Sequence, residues 1–136
     1  MVEVQLQSDV AVNDSDKSFT VPDREVWEIV GIFVTLISTA TAGNREVKLE
    51  IQDGGSVVIA EFTARAVQAA SLTRKYQFAP CLQNESSFAS TDELQTAIPC
   101  NFEVNSAWVV RVYDAAAIDP AADDMTVQMI VRKRNG

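Results

Sequence analysis

Short blocks in which apolar and polar residues alternate run through the whole chain, and they constrain its fold more than any other feature. The clearest block is residues 45–53, where Val47, Leu49 and Ile51 alternate with charged or amide side chains. Similar blocks follow at short spacing and are separated by Gly, Asn, Asp, Ser and Pro. Because successive side chains of a strand point to opposite faces, a period of two is typical of half-buried β-strands. The sequence therefore predicts an all-β protein with about eight or nine strands.

This strand count favours a two-sheet antiparallel β-sandwich of jelly-roll type. A chain of 136 residues with 47% hydrophobic content is long enough for one such domain. We divide it into residues 1–25, an N-terminal strand or arm, and residues 26–136, the jelly-roll sandwich. Both alternating sets of residues 26–39 are largely apolar, which predicts a central strand covered on both faces. Residues 64–72 are expected to connect the two sheets, and residues 83–93 to form a polar surface loop.

Charge and composition exclude several classes of function. The chain carries 11 Lys and Arg against 19 Asp and Glu, has no histidine and has a net charge of -8. This balance lacks the basic surface that nucleic acid binding requires, so we expect no nucleic acid partner. Without histidine, the usual general base and the Ser-His and Cys-His pairs are missing, and no nucleophile motif is present, so we expect no catalytic residues and no enzyme. The longest apolar run, residues 26–37, is too short and too interrupted to span a membrane.

The chain begins with alternating apolar and polar residues rather than with a basic start and a continuous apolar run, so we expect its first residues to belong to the folded protein. Two cysteines, Cys81 and Cys100, lie in similar Pro-Cys contexts. Without an export signal we expect both thiols to be reduced, and their spacing is not that of a zinc site. A single bridge between them is the alternative.

An acidic cluster follows the second-to-last predicted strand. Asp114, Asp119, Asp123 and Asp124 supply oxygen donors of the kind that calcium prefers. The spacing is not that of an EF-hand loop, and a solvated turn explains the same residues. We therefore predict no metal and no cofactor, and Asp119, Asp123 and Asp124 are the candidates should a metal bind.

Four aromatic residues allow two interpretations. Trp27, Trp108, Tyr76 and Tyr113 all lie in predicted strands. They would form a sugar-stacking platform if they shared an exposed face, and they would fill the space between the sheets if they pointed inward. Because both tryptophans lie in strongly apolar strands, we favour packing in the core.

Several phrases of the chain resemble a known group of proteins. The resemblance covers residues 26–132, and the phrases are VWEI at 26–29, TATAGNR at 39–45, VKLEIQD at 47–53, RVYDAAAID at 111–119 and DDMTV at 123–127. Together they resemble small jelly-roll structural proteins of tailed bacteriophages, which include capsid decoration, or cement, proteins. This resemblance implies a virion component that assembles as a dimer or trimer and binds the major capsid protein on the outside of the head.

On this basis we expect a capsid decoration protein at the virion surface that stabilises the capsid lattice. The alternative is a head-fibre or tail-associated module that recognises host surface glycan. For partner binding, the candidate residues are Val2, Val4 and Leu6, which alternate with polar residues at the N-terminus. An extended segment of this kind adds to the strand edge of a partner, or it completes the protein's own sheet. The sequence leaves both possibilities open.

Overall fold

The computed structural model describes residues 2–82 and 90–136, and within these ranges the chain is all-β without a helix. The prediction of an all-β sandwich is confirmed, with ten strands in the described part of the chain where eight or nine were expected. The strands are β1 (Glu3–Asp9), β2 (Lys17–Thr20), β3 (Glu25–Ile37), β4 (Val47–Gln52), β5 (Val58–Thr63), β6 (Thr73–Pro80), β7 (Glu93–Ile98), β8 (Glu103–Val104), β9 (Val109–Asp114) and β10 (Asp124–Asn135).

The strands form two sheets. The larger sheet has the order β1-β10-β3-β6-β7, with β8 also paired to β3, and the smaller sheet has the order β2-β9-β4-β5. Every pair is antiparallel except β6 and β7, which run parallel. The expected antiparallel sandwich is therefore confirmed for the strand pairs of the described residues other than this edge pair. A parallel pair needs a longer connection than a hairpin, and the chain between β6 and β7 supplies it.

The pairings nest along the chain. β1 pairs with β10, β2 with β9, β3 with β6, and β4 with β5. Nesting of this kind favours the jelly-roll type, which stays an interpretation of the strand order. Because β1 pairs with β10 and β2 with β9, the strands of residues 1–25 belong to the same two sheets as those of residues 26–136.

The core lies between the sheets and takes one alternating row from each strand. The inward rows of the smaller sheet include Leu49, Ile51 and Val112, and β10 contributes Met125 through Val131 at every second position. These side chains are almost completely shielded from water, so they account for most of the hydrophobic stabilisation of the fold.

In its second half, strand β3 is covered on a single face. This corrects the expectation that the strand is covered on both faces. Trp27 and Ile29 point inward, then a β-bulge makes Val30 an extra residue, and Ile32 onward points inward at the other parity. Both alternating sets of β3 are apolar because one set points inward before the bulge and the other set points inward after it. Beyond it, Phe33 and Ile37 face solvent.

Cys81 and Cys100 form a disulfide, which corrects the expectation of two reduced thiols. The reason is the parallel register of β6 and β7, which places Pro80 beside Ile98 at the end of both strands. Cys81 directly follows Pro80, and Cys100 lies two residues after Ile98. Their Cα atoms are 5.0 Å apart, and the backbone N–H of Cys81 donates to the carbonyl of Ile98 at 3.3 Å.

Two predicted connections have different outcomes. Residues 64–72 lead from β5 in the smaller sheet to β6 in the larger sheet, as expected. Their one buried polar side chain, Gln68, donates to the carbonyls of Leu36 and Leu72 and accepts from the Tyr76 hydroxyl. Of the predicted loop at 83–93, residues 83–89 lie outside the described residues, and Glu93 already begins β7.

Candidate functional site

The N-terminal strand exposes apolar side chains to solvent. Val2, Val4 and Leu6 have exposed fractions of 60%, 67% and 59%, and Val4 and Leu6 lie opposite Arg132 and Ile130 of β10. These partners are on the outer face of the larger sheet, because the inward row of β10 is the alternate one. The predicted partner-binding residues are therefore part of the protein's own sheet and face away from its core.

The inward row of β1 is polar instead. Gln5, Gln7 and Asp9 lie opposite the inward-facing residues Val131, Met129 and Val127 of β10. Asp9 approaches the ammonium group of buried Lys17 at 4.0 Å. The alternation of β1 was read correctly as half-buried, but the polar set is the one turned toward the body of the sandwich.

The exposed apolar side chains continue across the sheet as a strip, which we call the outer apolar strip and define as Val4, Leu6, Ile130 and Phe33. Leu6 lies opposite Ile130, and Ile130 lies opposite Gly31 of β3. The ring of Phe33 covers Gly31, because a Cβ atom at that glycine would lie 3.3 Å from the ring. Phe33 itself is 43% exposed.

A shallow depression of about 210 Å³ adjoins this strip on the same sheet. Phe33 lies at one side of it, and polar side chains from β6 and β7 line the rest, including Lys75, Gln77, Glu93 and Gln95. An aromatic ring beside amide and charged groups is a common arrangement for a polar ligand with one apolar face.

Buried charged groups form a second candidate site at one end of the sandwich. We call it the buried ion cluster and define it as Asp14, Asp114, Asp123 and Arg45. The three carboxylates are shielded from solvent, and each offers an oxygen that lies within 4.8 Å of the other two. They come from the β1–β2 connection, the end of β9 and the residue before β10.

Arg45 holds one of these carboxylates in a two-point ion pair. Its Nε donates to Asp123 Oδ2 at 2.7 Å and its Nη2 to Oδ1 at 3.1 Å, while the backbone N–H of Thr39 donates to Oδ1 at 2.8 Å. Burial raises the pKa of Asp123, but these hydrogen bonds outweigh it and the pKa is lowered. Asp123 is therefore ionised and fixed in position.

The loop before Arg45 holds the Arg45 guanidinium in place through backbone carbonyls. Arg45 Nη1 donates to the carbonyls of Thr41 and Gly43 at 2.9 and 2.8 Å. Gly43 has a φ of 136°, and a Cβ atom there would lie 2.7 Å from Ile118 Cδ1. A larger residue would strain the turn and displace Ile118, so glycine is required at this position.

The other two carboxylates have oxygens that lack a hydrogen bond. Asp114 Oδ1 accepts from the backbone N–H groups of Glu46 and Ala116 at 2.9 and 3.0 Å. Asp114 Oδ2 and both carboxylate oxygens of Asp14 are buried and have no partner among residues 2–82 and 90–136. Burial raises the pKa of Asp14 to about 8, and the shift is increased by the hydrogen bond that a protonated Asp14 makes to Asp114 and by the charges of Asp114 and Asp123, while Lys17 lowers it.

The structure separates the candidate metal ligands predicted from the sequence. Asp123 lies in the buried ion cluster, whereas Asp119 accepts hydrogen bonds from the Thr39 and Thr41 hydroxyls and Asp124 begins β10 beside Ile37. Asp114 is 6% exposed and Asp123 is fully buried, so the interpretation as a solvated turn was wrong for these two. Sequence reasoning missed Asp14, because only the fold brings it to the distant 114–123 segment.

The four aromatic residues do not share an exposed face. Trp27 and Tyr76 are each 2% exposed, and Trp108 packs partly buried against the core. Tyr113 is half-buried on β9, with the Arg111 guanidinium 3.9 Å from its ring centre. Packing in the core is thus confirmed for Trp27 and Tyr76, although the Trp27 indole donates to the Glu25 carboxylate rather than to the backbone.

Comparison with protein-family models and with curated proteins finds no match for this chain. Within residues 2–82 and 90–136, no helix is long and apolar enough to cross a membrane.

Proposed function

We propose that this protein is a structural component of a bacteriophage virion, most specifically a capsid decoration protein that docks on the outside of the head through the outer apolar strip. Two features support the proposal. One is the resemblance of residues 26–132 to small jelly-roll virion proteins. The other is the exposed apolar surface that the structure gives to β1.

The observation that carries the proposal is the position of Val4 and Leu6. They lie on an edge strand, with exposed fractions of 67% and 59%. No strand pairs with the outer edge of β1 among the residues that the structure describes. A long edge strand with exposed apolar side chains is ordinarily blunted in a monomer, so one that is left open is well suited to receive a partner. Main-chain hydrogen bonds along the edge would supply affinity, and the apolar row would supply specificity.

Decoration of this kind requires no bond chemistry. A protein that binds the assembled capsid lattice but not free subunits shifts the equilibrium toward the lattice by mass action. If the protein forms a dimer or trimer, each assembly touches the shell at several points, and modest affinity at each point becomes firm attachment through effective concentration. The partner is then the major capsid protein of the same virion.

The proposal is tested with capsids that lack the protein. We expect the purified protein to co-sediment with such capsids and to raise the temperature at which they rupture. Leu6→Lys places a charge in the centre of the strip and should abolish co-sedimentation, because burying an unpaired ammonium is strongly unfavourable. Point substitution is preferable to deletion of the N-terminus, because deletion would remove the seven residue pairs between β1 and β10 as well as Asp14.

A matched control is available on the other sheet. Val58 lies on β5, an edge strand of the smaller sheet, and is 47% exposed. Val58→Lys adds the same charge and should leave co-sedimentation intact. If the wild-type protein does not bind capsids, or if Leu6→Lys binds as well as Val58→Lys, the proposed docking function is wrong.

The depression beside Phe33 favours one alternative, a head-fibre or tail-associated module that binds host surface glycan. Phe33 would stack on a sugar ring while Gln77 and Gln95 bind its hydroxyl groups. A glycan array tests this directly, and Phe33→Ala should remove any signal. The number of copies per virion separates the two functions, since a decoration protein is present at a stoichiometry near that of the capsid lattice and an attachment module at only a few sites.

A further inference from the structure

We propose that Asp14, Asp114 and Asp123 form a binding site for one hard divalent cation, for which Ca²⁺ is the best fit. The site is independent of the docking function, because it lies in the buried ion cluster and not on the outer apolar strip. Bound there, the cation ties the β1–β2 connection to the segment between β9 and β10.

The first argument is the set of oxygens without hydrogen bonds. Asp14 is 4% exposed and Asp114 is 6% exposed, and three of their four carboxylate oxygens have no partner within the part of the chain that the structure describes. Buried polar atoms are almost always satisfied, and a buried carboxylate oxygen without a protein partner is satisfied by an ion, a proton or an ordered water. Three such atoms at one point are most simply satisfied by a cation that coordinates them together.

The second argument is charge. The cluster contains three carboxylates and one guanidinium, and the guanidinium is already engaged by Asp123 through two hydrogen bonds. When all three carboxylates are ionised, as they are when they coordinate a cation, two negative charges therefore remain to be balanced. Lys17 does not neutralise them by direct contact, because its ammonium group donates to Ala11 O, Asn13 Oδ1 and Ser15 Oγ. One divalent cation balances the cluster.

The third argument is the chemistry and spacing of the donors. All three ligands are carboxylate oxygens, and the chain has no histidine, which selects hard cations over zinc or copper. The donor oxygens lie within 4.8 Å of one another. This fits inside a Ca²⁺ shell, in which oxygens bind at about 2.4 Å and those on opposite sides lie about 5 Å apart.

Hydrogen bonds hold each of the three aspartates in place, and Asp14 and Asp114 keep oxygens available for a cation. Two backbone N–H groups fix Asp114 through Oδ1 and leave Oδ2 available. Asp123 is fixed by Arg45 and Thr39. Asp14 is anchored through its backbone N–H, which donates to the Pro120 carbonyl at 3.0 Å, while its carboxylate has both oxygens available. Preorganised ligands lower the ordering cost of binding.

The same oxygens allow one competing explanation, in which a single proton is shared between Asp14 and Asp114. The two explanations predict opposite behaviour for Asp14→Asn. An amide at this position donates a hydrogen bond to Asp114 Oδ2 as a shared proton would, so it preserves or improves a proton-linked pair. It removes a charged ligand from a cation site.

The test uses the full-length protein after removal of divalent ions with EGTA. Calorimetric titration with CaCl₂ should show saturable binding of one equivalent, and added Ca²⁺ should raise the melting temperature by about 5–10 °C at saturation. Asp14→Asn should weaken Ca²⁺ binding by at least about tenfold and remove most of the shift in melting temperature. Asp124→Asn removes a carboxylate outside the cluster and serves as the matched control, with binding unchanged.

Three results would overturn the proposal. One is the absence of saturable binding of Ca²⁺, Mg²⁺ and Mn²⁺ at millimolar concentration. Another is equal Ca²⁺ affinity in the wild type and Asp14→Asn, which would place the ion on surface carboxylates. The third is an Asp14→Asn protein at least as stable as the wild type with and without Ca²⁺, which would assign the site to a shared proton. If Asp14→Asn does not fold, the titration of the wild type and of Asp114→Asn decides the matter.

Discussion

At one end of the sandwich charged side chains are buried, whereas on the outer face of the larger sheet apolar side chains are exposed to water. The buried ion cluster contains Arg45 and Asp123 at 0% exposure, and the outer apolar strip contains Val4 at 67%. Both regions depart from the usual distribution of polarity. They differ in what offsets the unfavourable free energy of burying charge or exposing apolar surface: groups of the chain itself in one region, and a binding partner in the other.

The chain itself supplies most of the compensation in the buried ion cluster. Arg45 donates to Asp123 and to two loop carbonyls, and Thr39 adds a backbone hydrogen bond. Buried charges are tolerated when they are paired and hydrogen-bonded in this way. The part that remains unsatisfied, at Asp14 and Asp114, is the part for which we infer a cation.

The outer apolar strip has no comparable compensation within the described residues. Fully burying a side chain such as Leu6 or Phe33 contributes about 1.5–3 kcal/mol, and because the two are 59% and 43% exposed, roughly half of that free energy is not used in folding. A binding partner can recover it. The contrast therefore assigns stabilisation of the fold to the buried ion cluster and partner binding to the outer apolar strip. The predictions below test this assignment, from the largest expected effect to the smallest.

The largest effect is expected for Arg45→Met. It leaves Asp123 buried without its counter-charge, so the free energy of unfolding should fall by about 3–5 kcal/mol in urea titrations. Arg134→Met is the control, because that guanidinium pairs with Glu103 where both side chains are 46% exposed, and it should cost about 1 kcal/mol or less. Equal losses for both variants would mean that burial adds nothing to the Arg45 pair.

Gln68→Leu should have the next largest effect. It removes the amide that donates to the carbonyls of Leu36 and Leu72 and accepts from the Tyr76 hydroxyl. The Leu72 carbonyl keeps the hydrogen bond from the Ser38 N–H, but the buried Tyr76 hydroxyl loses its acceptor, so the free energy of unfolding should fall by about 2–4 kcal/mol. Gln128→Leu makes the same change at an exposed position of β10 and should be nearly neutral. A small loss for Gln68→Leu would show that water or a rearrangement replaces the amide.

The period-two pattern was sufficient to place nearly all the strands, because alternation reports directly on which side chains are buried. It failed at β3, where the bulge at Val30 reverses the inward phase, so that two apolar sets indicated coverage on both faces. It failed at β1 as well, since alternation identifies two rows but does not say which row faces inward. Pairing of β1 with β10 shows that this segment completes the protein's own sheet, while the role of Val2, Val4 and Leu6 in partner binding stays a prediction.

Contacts between distant segments were beyond the reach of local patterns. The disulfide depends on the parallel register of β6 and β7, which no local signal predicts. The buried ion cluster joins Asp14 to residues about a hundred positions away. Its other members lie in the phrases TATAGNR, RVYDAAAID and DDMTV, so three segments from two distant parts of the chain meet at this cluster. These three segments form the buried ion cluster together with Asp14, and none of them contributes a residue to the outer apolar strip.

The next prediction concerns pH in the cation-free protein. The pKa of Asp14 is raised from 3.8 to about 8 by burial and by Asp114 and Asp123, with Lys17 opposing. The folded state therefore binds more protons than the unfolded state between pH 4 and pH 8, and stability should fall as pH rises through this window. For one proton the slope is at most about 1.4 kcal/mol per pH unit.

Urea titrations between pH 5 and pH 8 with EGTA present measure this slope. Asp14→Asn should flatten it, because the amide does not titrate, and saturating Ca²⁺ should flatten it in the wild type if the cation replaces the proton. A slope that persists in Asp14→Asn would have to come from other groups, and the buried ion cluster would then not govern the response to pH.

The smallest effect on stability is expected for Leu6→Thr in the outer apolar strip. Threonine is β-branched, which suits a strand, and Leu6 is 59% exposed, so the free energy of unfolding should change by no more than about 0.5 kcal/mol. Met129→Thr alters an inward-facing residue of the adjacent strand β10 and should cost at least about 2 kcal/mol. A loss above about 1 kcal/mol for Leu6→Thr would mean that this side chain already contributes to the fold. The strip would then require no partner to explain it, and the contrast between the two regions would disappear.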